Sequence, residues 1–461
     1  MVLRGEVPFA AISHLPLRCF LPATTRVDAS AVVAPQMYPR AYFNGHGRWR
    51  SPYHVGAIEI VTVPEHPLNR DRRRPPRLRV AFLIWRLSAS GGIPRFQASL
   101  LSSVADRSWL DLHVISVRPN YAEDNLAQYE SLATFHFLDL DGPSTIPKRL
   151  KALARLAAVL RKLRPDIVHV HGGIGWLPSI LPGPKTCVLQ VHDPPQTGRD
   201  SVLTSWVERW ASRLRKWHLV VDSSGVADQL AEAWNLDRAS VRVESLGIDT
   251  NHYSPAQRGF ERARQYSRHG ARIRVAWLGR LVPSKQPAQF VELASSIHKD
   301  LTQVTCCLGG DGPLMGELED LNDEAGGACQ LIGSVPDVWD FLANSDIFVS
   351  TSEAEGFGLA VLEAMSMGLP VVAFEAAGLH DLIVDGTTGY LLPMDDLAAM
   401  AARLRYLTSN PEALQEMGSA AARRANSLFS LASMGERYVQ LWSDIAPPEF
   451  LHNHNPDEWS P

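Results

Sequence analysis

Two glutamates with seven residues between them, Glu355 and Glu363, flank a Gly356-Phe357-Gly358 turn in the run TSEAEGFGLAVLEAMSMGLPVVAF. Glycine at 356 and 358 lets the backbone approach a ligand closely. A helix opening at Leu359 presents unpaired N–H groups and the positive end of its dipole, which suit a phosphate. Glu355 falls where the apolar strand IFVS crosses into that helix, the edge at which open α/β sheets bind ligands. Glu363 comes about two helical turns later, on roughly the same face. One carboxylate suits sugar hydroxyls and the other a ribose diol, so the chemistry is that of a nucleotide-sugar site. Either glutamate alone would be a solvated helix charge; the argument rests on their joining EGFG, LEAM and GLPVVAF in one block.

Other residues fit the same chemistry. GRLVPSK sets Arg280 and Lys285 at a strand's C-terminal edge. Fixed cations there stabilise a departing diphosphate more than the bound donor, which lowers a barrier. LGGDGP places Gly310 and Gly312 in a strand-end turn, and SASGGIPR places Gly91 and Gly92 in a tight loop with Pro94 in the first turn of a helix. Arg95 reads equally as a ligand contact or a surface charge. His192 ends one apolar strand, and His169 and His171 end another before Gly172 and Gly173. Two histidines on a strand with no third ligand nearby do not make a metal site. Asp139-Leu140-Asp141 reads as a solvated turn.

The elements that must hold these residues fall into two series. Residues 1–76 are rich in Pro and Arg and end in RDRRRPPR, with AIEIVTV as one candidate strand; they form an extension of unassigned role. From Leu78 apolar strands alternate with helices: RVAFLIW, a helix near 94–104, LDLHVISV, a helix near 146–163, IVHVH, TCVLQVH, helices near 202–216 and 224–234 around LVVDS, and VRVES. GIDTNHYSPAQRG then reads as a linker. A second alternation runs through RVAWLG, QVTCCLGG, CQLIGS, IFVS and PVVAF, with helices near 286–299, 313–324, 336–343 and 358–367. Helices near 394–408, 410–427 and 431–444 follow. Such alternation predicts doubly wound parallel sheets, α/β in class.

Size and charge agree. A chain of 461 residues exceeds one ordinary core, and 45% hydrophobic with 20% charged residues describes a soluble globular protein. Residues 1–170 hold 23 Lys+Arg against 13 Asp+Glu, a balance of +10, while the remainder holds 22 against 36, a balance of −14. The basic front half points to an acidic acceptor or an anionic membrane surface; no nucleic-acid motif accompanies it. KRLKALARLAAVLRKLR, Lys148 to Arg164, carries seven basic residues and no acidic one, with Leu150, Leu153, Ala157 and Leu160 at helical spacing. It reads as a packed crossover helix whose outward cations can lie on an anionic membrane. Cys19, Cys187, Cys306, Cys307 and Cys329 show no C-x-x-C pattern, as in packed, reduced thiols of a cytoplasmic protein. No apolar run reaches membrane-spanning length, and residues 8–22, with two prolines, do not read as a signal peptide.

Taken together, the block from Thr351 to Leu392, with GRLVPSK ahead of it, resembles the donor-binding signature of glycosyltransferase family 4, retaining enzymes of GT-B fold. The resemblance covers roughly 77–445. It implies two Rossmann-like domains facing a cleft, an acceptor domain at 77–252 and a donor domain at 253–428, with a last helix in 429–461 crossing back. It implies transfer of a sugar from a UDP- or GDP-sugar to a glycan, glycolipid or small acceptor, with the nucleotide-sugar as substrate and no cofactor or catalytic metal. Arg280 and Lys285 would hold the diphosphate, Glu363 the ribose, and Glu355 with the amides of Gly356, Phe357, Gly358 and Leu359 the sugar. His192 would reach the donor sugar, Gly310 and Gly312 would line the cleft, Gly91 and Gly92 would lie near the phosphates, and the LIGSV backbone ending at Val335 would hold the base. Relatives usually carry glutamate where Asp381 stands, so a sugar contact there would differ. A sugar-nucleotide epimerase or hydrolase, or a non-catalytic subunit, are the alternatives.

Overall fold

The computed structural model describes residues 77–85, 92–117, 131–138, 146–171, 186–192, 217–258 and 272–451. The extension at 1–76, Gly91, Asp139 to Asp141, Gly172 and Gly173, and the helix expected near 202–216 lie outside the described residues.

The first series folds into a seven-stranded sheet. Its strands are β1 (Leu78–Ile84), β2 (Leu110–Ser116), β3 (Thr134–Phe137), β4 (Ile167–His171), β5 (Thr186–Val191), β6 (Trp217–Val221) and β7 (Val241–Val243), in the order β3-β2-β1-β4-β5-β6-β7. The second gives a six-stranded sheet of β8 (Ile273–Leu278), β9 (Val304–Gly309), β10 (Cys329–Gly333), β11 (Ile347–Ser350), β12 (Val371–Phe374) and β13 (Gly389–Leu392), ordered β10-β9-β8-β11-β12-β13. All named pairs are parallel. Parallel strands covered on both faces need continuous apolar runs, and IVHVH and IFVS are buried at every position. The reversal of strand order beside β1 and β8 opens a crevice at the strands' C-terminal ends, the general ligand site of such sheets.

The halves repeat a local device. Asp166 before β4 and Asp346 before β11 accept the backbone N–H of Arg79 and Arg274, each at 2.8 Å, and their own N–H groups return to the same residues' carbonyls. Each central strand pair is thereby pinned in register.

Helices α1 (Gly92–Val104), α2 (Ile146–Leu163) and α3 (Ser224–Trp234) belong to the first half. The second half carries α4 (Pro287–His298), α5 (Met315–Glu324), α6 (Val338–Ala343), α7 (Leu359–Ser366), α8 (Leu397–Ser409) and α9 (Pro411–Leu428). Then α10 (Leu431–Ile445) returns to the first sheet, where Tyr438 and Trp442 are wholly buried and Trp442 meets Phe82 edge-on at 5.7 Å. Gly435 lets α10 cross α1 closely, since a Cβ there would lie 2.7 Å from the Ser103 carbonyl oxygen.

Two strands, β3 and β13, are absent from the sequence reading. Both have four residues; β3 has no buried position and β13 opens on glycine, so neither forms an apolar run. The helix expected near 286–299 is α4, preceded by a 3-10 turn at Pro283–Lys285 that ends at Gln286, whose φ of 46° separates the turn from the helix. β6 stops at Val221, leaving Asp222 and Ser223 beyond the strand.

Candidate active site

A cavity of about 650 Å³ lies between the two sheets. Gly92, Ile93, Pro94, His192 and Asp222 line it from the first half. From the second come Trp277, Arg280, Lys285, Phe348, Ser352 and Glu355, with the continuous stretch Gly356 to Val361.

The second-half wall is built by hydrogen bonds between two loops. Thr351, just after β11, accepts the Trp277 indole N–H at 3.0 Å and bonds to the carbonyls of Lys285 and Gln286 at 3.1 and 2.8 Å. That staple fixes Lys285, whose ammonium donates to Glu355 Oε1 at 2.7 Å and to the Ala354 carbonyl at 3.3 Å. Ser352 Oγ donates to the same carboxylate oxygen at 2.9 Å. The expected phosphate cation and the expected sugar carboxylate thus form one partly buried ion pair. Arg280 is exposed beside them.

Gly358 has φ of 93° and no side chain to cap α7, so the first N–H groups of the helix have no side-chain acceptor, and the helix start lines the cavity. A Cβ at Gly358 would come within 2.6 Å of Leu379. The turn is also tied to the other half: Ser223 Oγ donates to the Gly356 carbonyl at 2.8 Å.

Gly310, Gly312 and Val335 do not line the cavity. A Cβ at Gly310 would lie 1.9 Å from the Gly279 carbonyl oxygen, and one at Gly312 would lie 2.5 Å from that of Leu281. Val335 packs on Gly309 in the same way, where a Cβ would meet its Cγ2 at 2.7 Å. These residues brace the Arg280 loop from behind.

Glu363 is likewise outside the lining, and here the expectation of a shared face with Glu355 is corrected. Glu355 precedes the helix, whereas Glu363 points into the protein and is 1% exposed. Its carboxylate accepts Arg95 from α1 across the cleft, and the Tyr253 hydroxyl faces the same pair. Burial raises the Glu363 pKa above the usual carboxylate value and Arg95 only partly offsets it; burial and the Glu363 charge push Tyr253 up to about 12. Arg95 is therefore an interdomain partner, which its position in SASGGIPR leaves undecided.

His192 lies on the first-half wall with both ring nitrogens occupied: Nδ1 faces Asp222 Oδ2 at 2.8 Å, and Nε2 faces His171 Nδ1 at 3.1 Å. Asp381, where relatives usually carry glutamate, is bound by Ser224 at the start of α3, through its backbone N–H at 2.6 Å and its hydroxyl. Sequence reasoning missed Asp222, Trp277 and Ser352 as cavity residues. Asp222 carries a signal, a carboxylate ending the apolar run LVV; the other two carry none.

Two Rossmann-like sheets with a cation-lined, helix-capped cleft between them define the GT-B glycosyltransferase architecture. Residues 90–252 match the family described as Glycosyltransferase Family 4, and residues 260–424 that described as Glycosyl transferases group 1. The D-inositol 3-phosphate glycosyltransferase of Geodermatophilus obscurus is 30% identical over 340 residues, covering 66% of this chain and 73% of its own. Alpha-maltose-1-phosphate synthase of Mycolicibacterium smegmatis is 29% identical over 327 residues, 64% of this chain and 84% of its own. The crystal structure of Anabaena HepE in complex with UDP and glucose superposes with a TM-score of 0.67 at 19% identity, over 80% of this chain and all of that one. The chain belongs to glycosyltransferase family 4.

Proposed function

We propose that the protein transfers a sugar, with retention of anomeric configuration, from a UDP- or GDP-sugar to a glycan, glycolipid or small acceptor. The observation that carries this reading is the gathering of Arg280, Lys285, Glu355 and the open N-terminus of α7 on one wall of the cavity. The diphosphate takes the amides of α7, Arg280 and Lys285, displacing Glu355 to bind sugar hydroxyls. These groups supply the positive charge that the leaving nucleoside diphosphate needs, without a catalytic metal or a resident cofactor. As the bond from the anomeric carbon to the diphosphate oxygen breaks, its electron pair leaves with the diphosphate. The acceptor hydroxyl oxygen forms the new bond from the same face, and its proton passes to the leaving phosphate. Crystals of HepE with UDP and glucose support a uridine donor among the candidates.

Thermal unfolding in the presence of UDP, GDP or ADP tests the donor site. At about a hundredfold excess over Kd, binding stabilises by about 2.7 kcal/mol. The expected result is a clear rise in Tm with one nucleotide, lost in Arg280→Ala and Lys285→Ala, both of which fold and lose about 100-fold or more in turnover. Normal turnover in both variants would refute the assignment.

A partner surface belongs to the same reading. α2 buries Ala152, Leu156 and Leu160 and turns Lys151, Arg161 and Lys162 outward, with Leu150 60% exposed among them. We infer that this face rests on an anionic membrane that carries the acceptor, with the enzyme on the cytoplasmic side. Among the described residues no helix is long and apolar enough to cross a membrane.

A further inference from the structure

Asp222 lies just past the end of β6, 2% exposed, on the first-half wall of the cavity. Its partners can be ordered by donor chemistry. An indole N–H only donates, so Trp442 Nε1, 3.3 Å away, makes His169 Nδ1 an acceptor. Burial lowers the His169 pKa to about 3, leaving a neutral ring whose single N–H is on Nε2. That proton goes to Gln190 Oε1 at 2.9 Å. The Gln190 amide then turns both its protons onward, to Tyr438 Oη at 2.5 Å and to Asp222 Oδ1 at 2.8 Å. His192 Nδ1 supplies the second donor, to Oδ2.

Two consequences follow from this order. His192 has no ring nitrogen free for a ligand, because His171 holds the other one, so it acts as a strut. Asp222 does have capacity: each carboxylate oxygen takes one donor and can accept a second. No lysine or arginine among the described residues pairs with it; its one ion-pair candidate is His192. A buried carboxylate with no lysine or arginine partner among the described residues, facing a cavity, is costly to keep for stability alone.

We propose that Asp222 is a catalytic residue for the sugar transfer: it accepts a hydrogen bond from a hydroxyl of the donor sugar and sets its negative charge beside the anomeric carbon. The inference rests on the glycosyl-transfer reading above. In a transition state of oxocarbenium character the sugar ring gains positive charge. A carboxylate already desolvated and fixed by two donors stabilises that charge without reorganising. Asp222 forms no bond and takes no proton; the electron pair and proton move between sugar, acceptor and diphosphate as written above. The cavity is then polarised, with cations at the leaving group on one wall and an anion at the sugar on the other.

The test is Asp222→Asn, with Asp222→Glu beside it, assayed by release of UDP or GDP from UDP-glucose or GDP-mannose with water as acceptor. The amide can keep the Gln190 donor and turn its N–H to His192 once that ring's proton moves to Nε2, so the fold survives while the charge is lost. Expected for Asp222→Asn are a kcat lowered about 100-fold, a donor KM within threefold, and an unchanged rise in Tm with the nucleoside diphosphate. Asp222→Glu, which keeps the charge, retains more activity than the amide. A kcat within threefold of wild type in Asp222→Asn overturns the inference and leaves the transferase reading intact. Loss of nucleotide stabilisation in parallel with kcat, or a glutamate variant no better than the amide, overturns it in favour of a purely structural carboxylate. If Asp222→Asn fails to fold, the glutamate variant decides alone: near-wild-type nucleotide binding with kcat lowered tenfold or less supports the charge, and a greater loss overturns it. A wild-type protein that binds no nucleoside diphosphate and releases none from either donor removes the reading and the inference together.

Discussion

Glu363 is a buried charge held by two neighbours, and what holds it sets a pH dependence. A carboxylate whose pKa is raised on folding contributes stability that is present below its unfolded value, near 4.5, and lost as pH rises through the folded value. Arg95 acts against that loss. In Arg95→Ala the folded pKa rises further, so more stability should be lost than in wild type as pH rises above the unfolded value. The destabilisation expected at neutral pH is about 2 kcal/mol, below the ~3–5 of fully buried pairs because solvent reaches the guanidinium, whose side chain is 42% exposed. Adding Glu363→Gln should flatten the slope. Tm measured across that range checks this; parallel profiles for wild type and Arg95→Ala would show that Arg95 does not govern the charge. Glu355 differs in kind, since its partner Lys285 lines the open cavity with it.

At the scale of elements, the site depends on a loop gripped from behind. Leu281 N–H donates to the Asp311 carbonyl at 3.0 Å, Gly279 N–H to the Gly309 carbonyl at 3.1 Å, and Leu314 N–H to the Leu281 carbonyl at 3.2 Å. Gly310 lies inside this lattice with φ of 145°, where an added Cβ meets backbone. Gly310→Ala is therefore expected to lose about 1–3 kcal/mol from backbone strain, with the clash in addition, and to weaken nucleotide stabilisation by moving Arg280. Gly326, at φ of 75° with open space around it, provides the contrast. Gly326→Ala should lose stability and keep the nucleotide-induced rise in Tm. Equal nucleotide responses in the two variants would sever the Gly310 turn from the site. The motif LGGDGP is legible as a turn, but which side of the loop its glycines face is decided by β9 lying against β8.

At the scale of the molecule, α10 joins the two halves, and α2 presents a cationic face away from the first sheet. Neutralising Lys151, Arg161 and Lys162 together should weaken binding to vesicles of phosphatidylglycerol by about 3 kcal/mol, roughly 100-fold, and leave binding to phosphatidylcholine vesicles unchanged. Sedimentation with the two vesicle types measures it. Equal binding of wild type and variant to the anionic vesicles would remove α2 as the contact. Turnover of a soluble donor with water as acceptor should be unaffected, because none of the three residues lines the cavity.

What depends on neighbours along the chain is legible in the residues alone. Apolar runs and helical periods mark two α/β series, and the contiguous run from β11 through Gly358 into α7 makes a phosphate-ready helix start. Strand, turn and helix N-terminus are set by short-range sterics and hydrogen bonding, so that part of the site is legible without a fold. Packing between distant segments settles which of two similar glutamates faces the cleft, that Arg95 meets Glu363 across 268 residues, and that Trp442, 273 residues after His169, orders the hydrogen bonds that end on Asp222. Burial and pairing of a polar group depend on what the rest of the chain packs against it, and a carboxylate's role follows from those partners more than from its place in a motif.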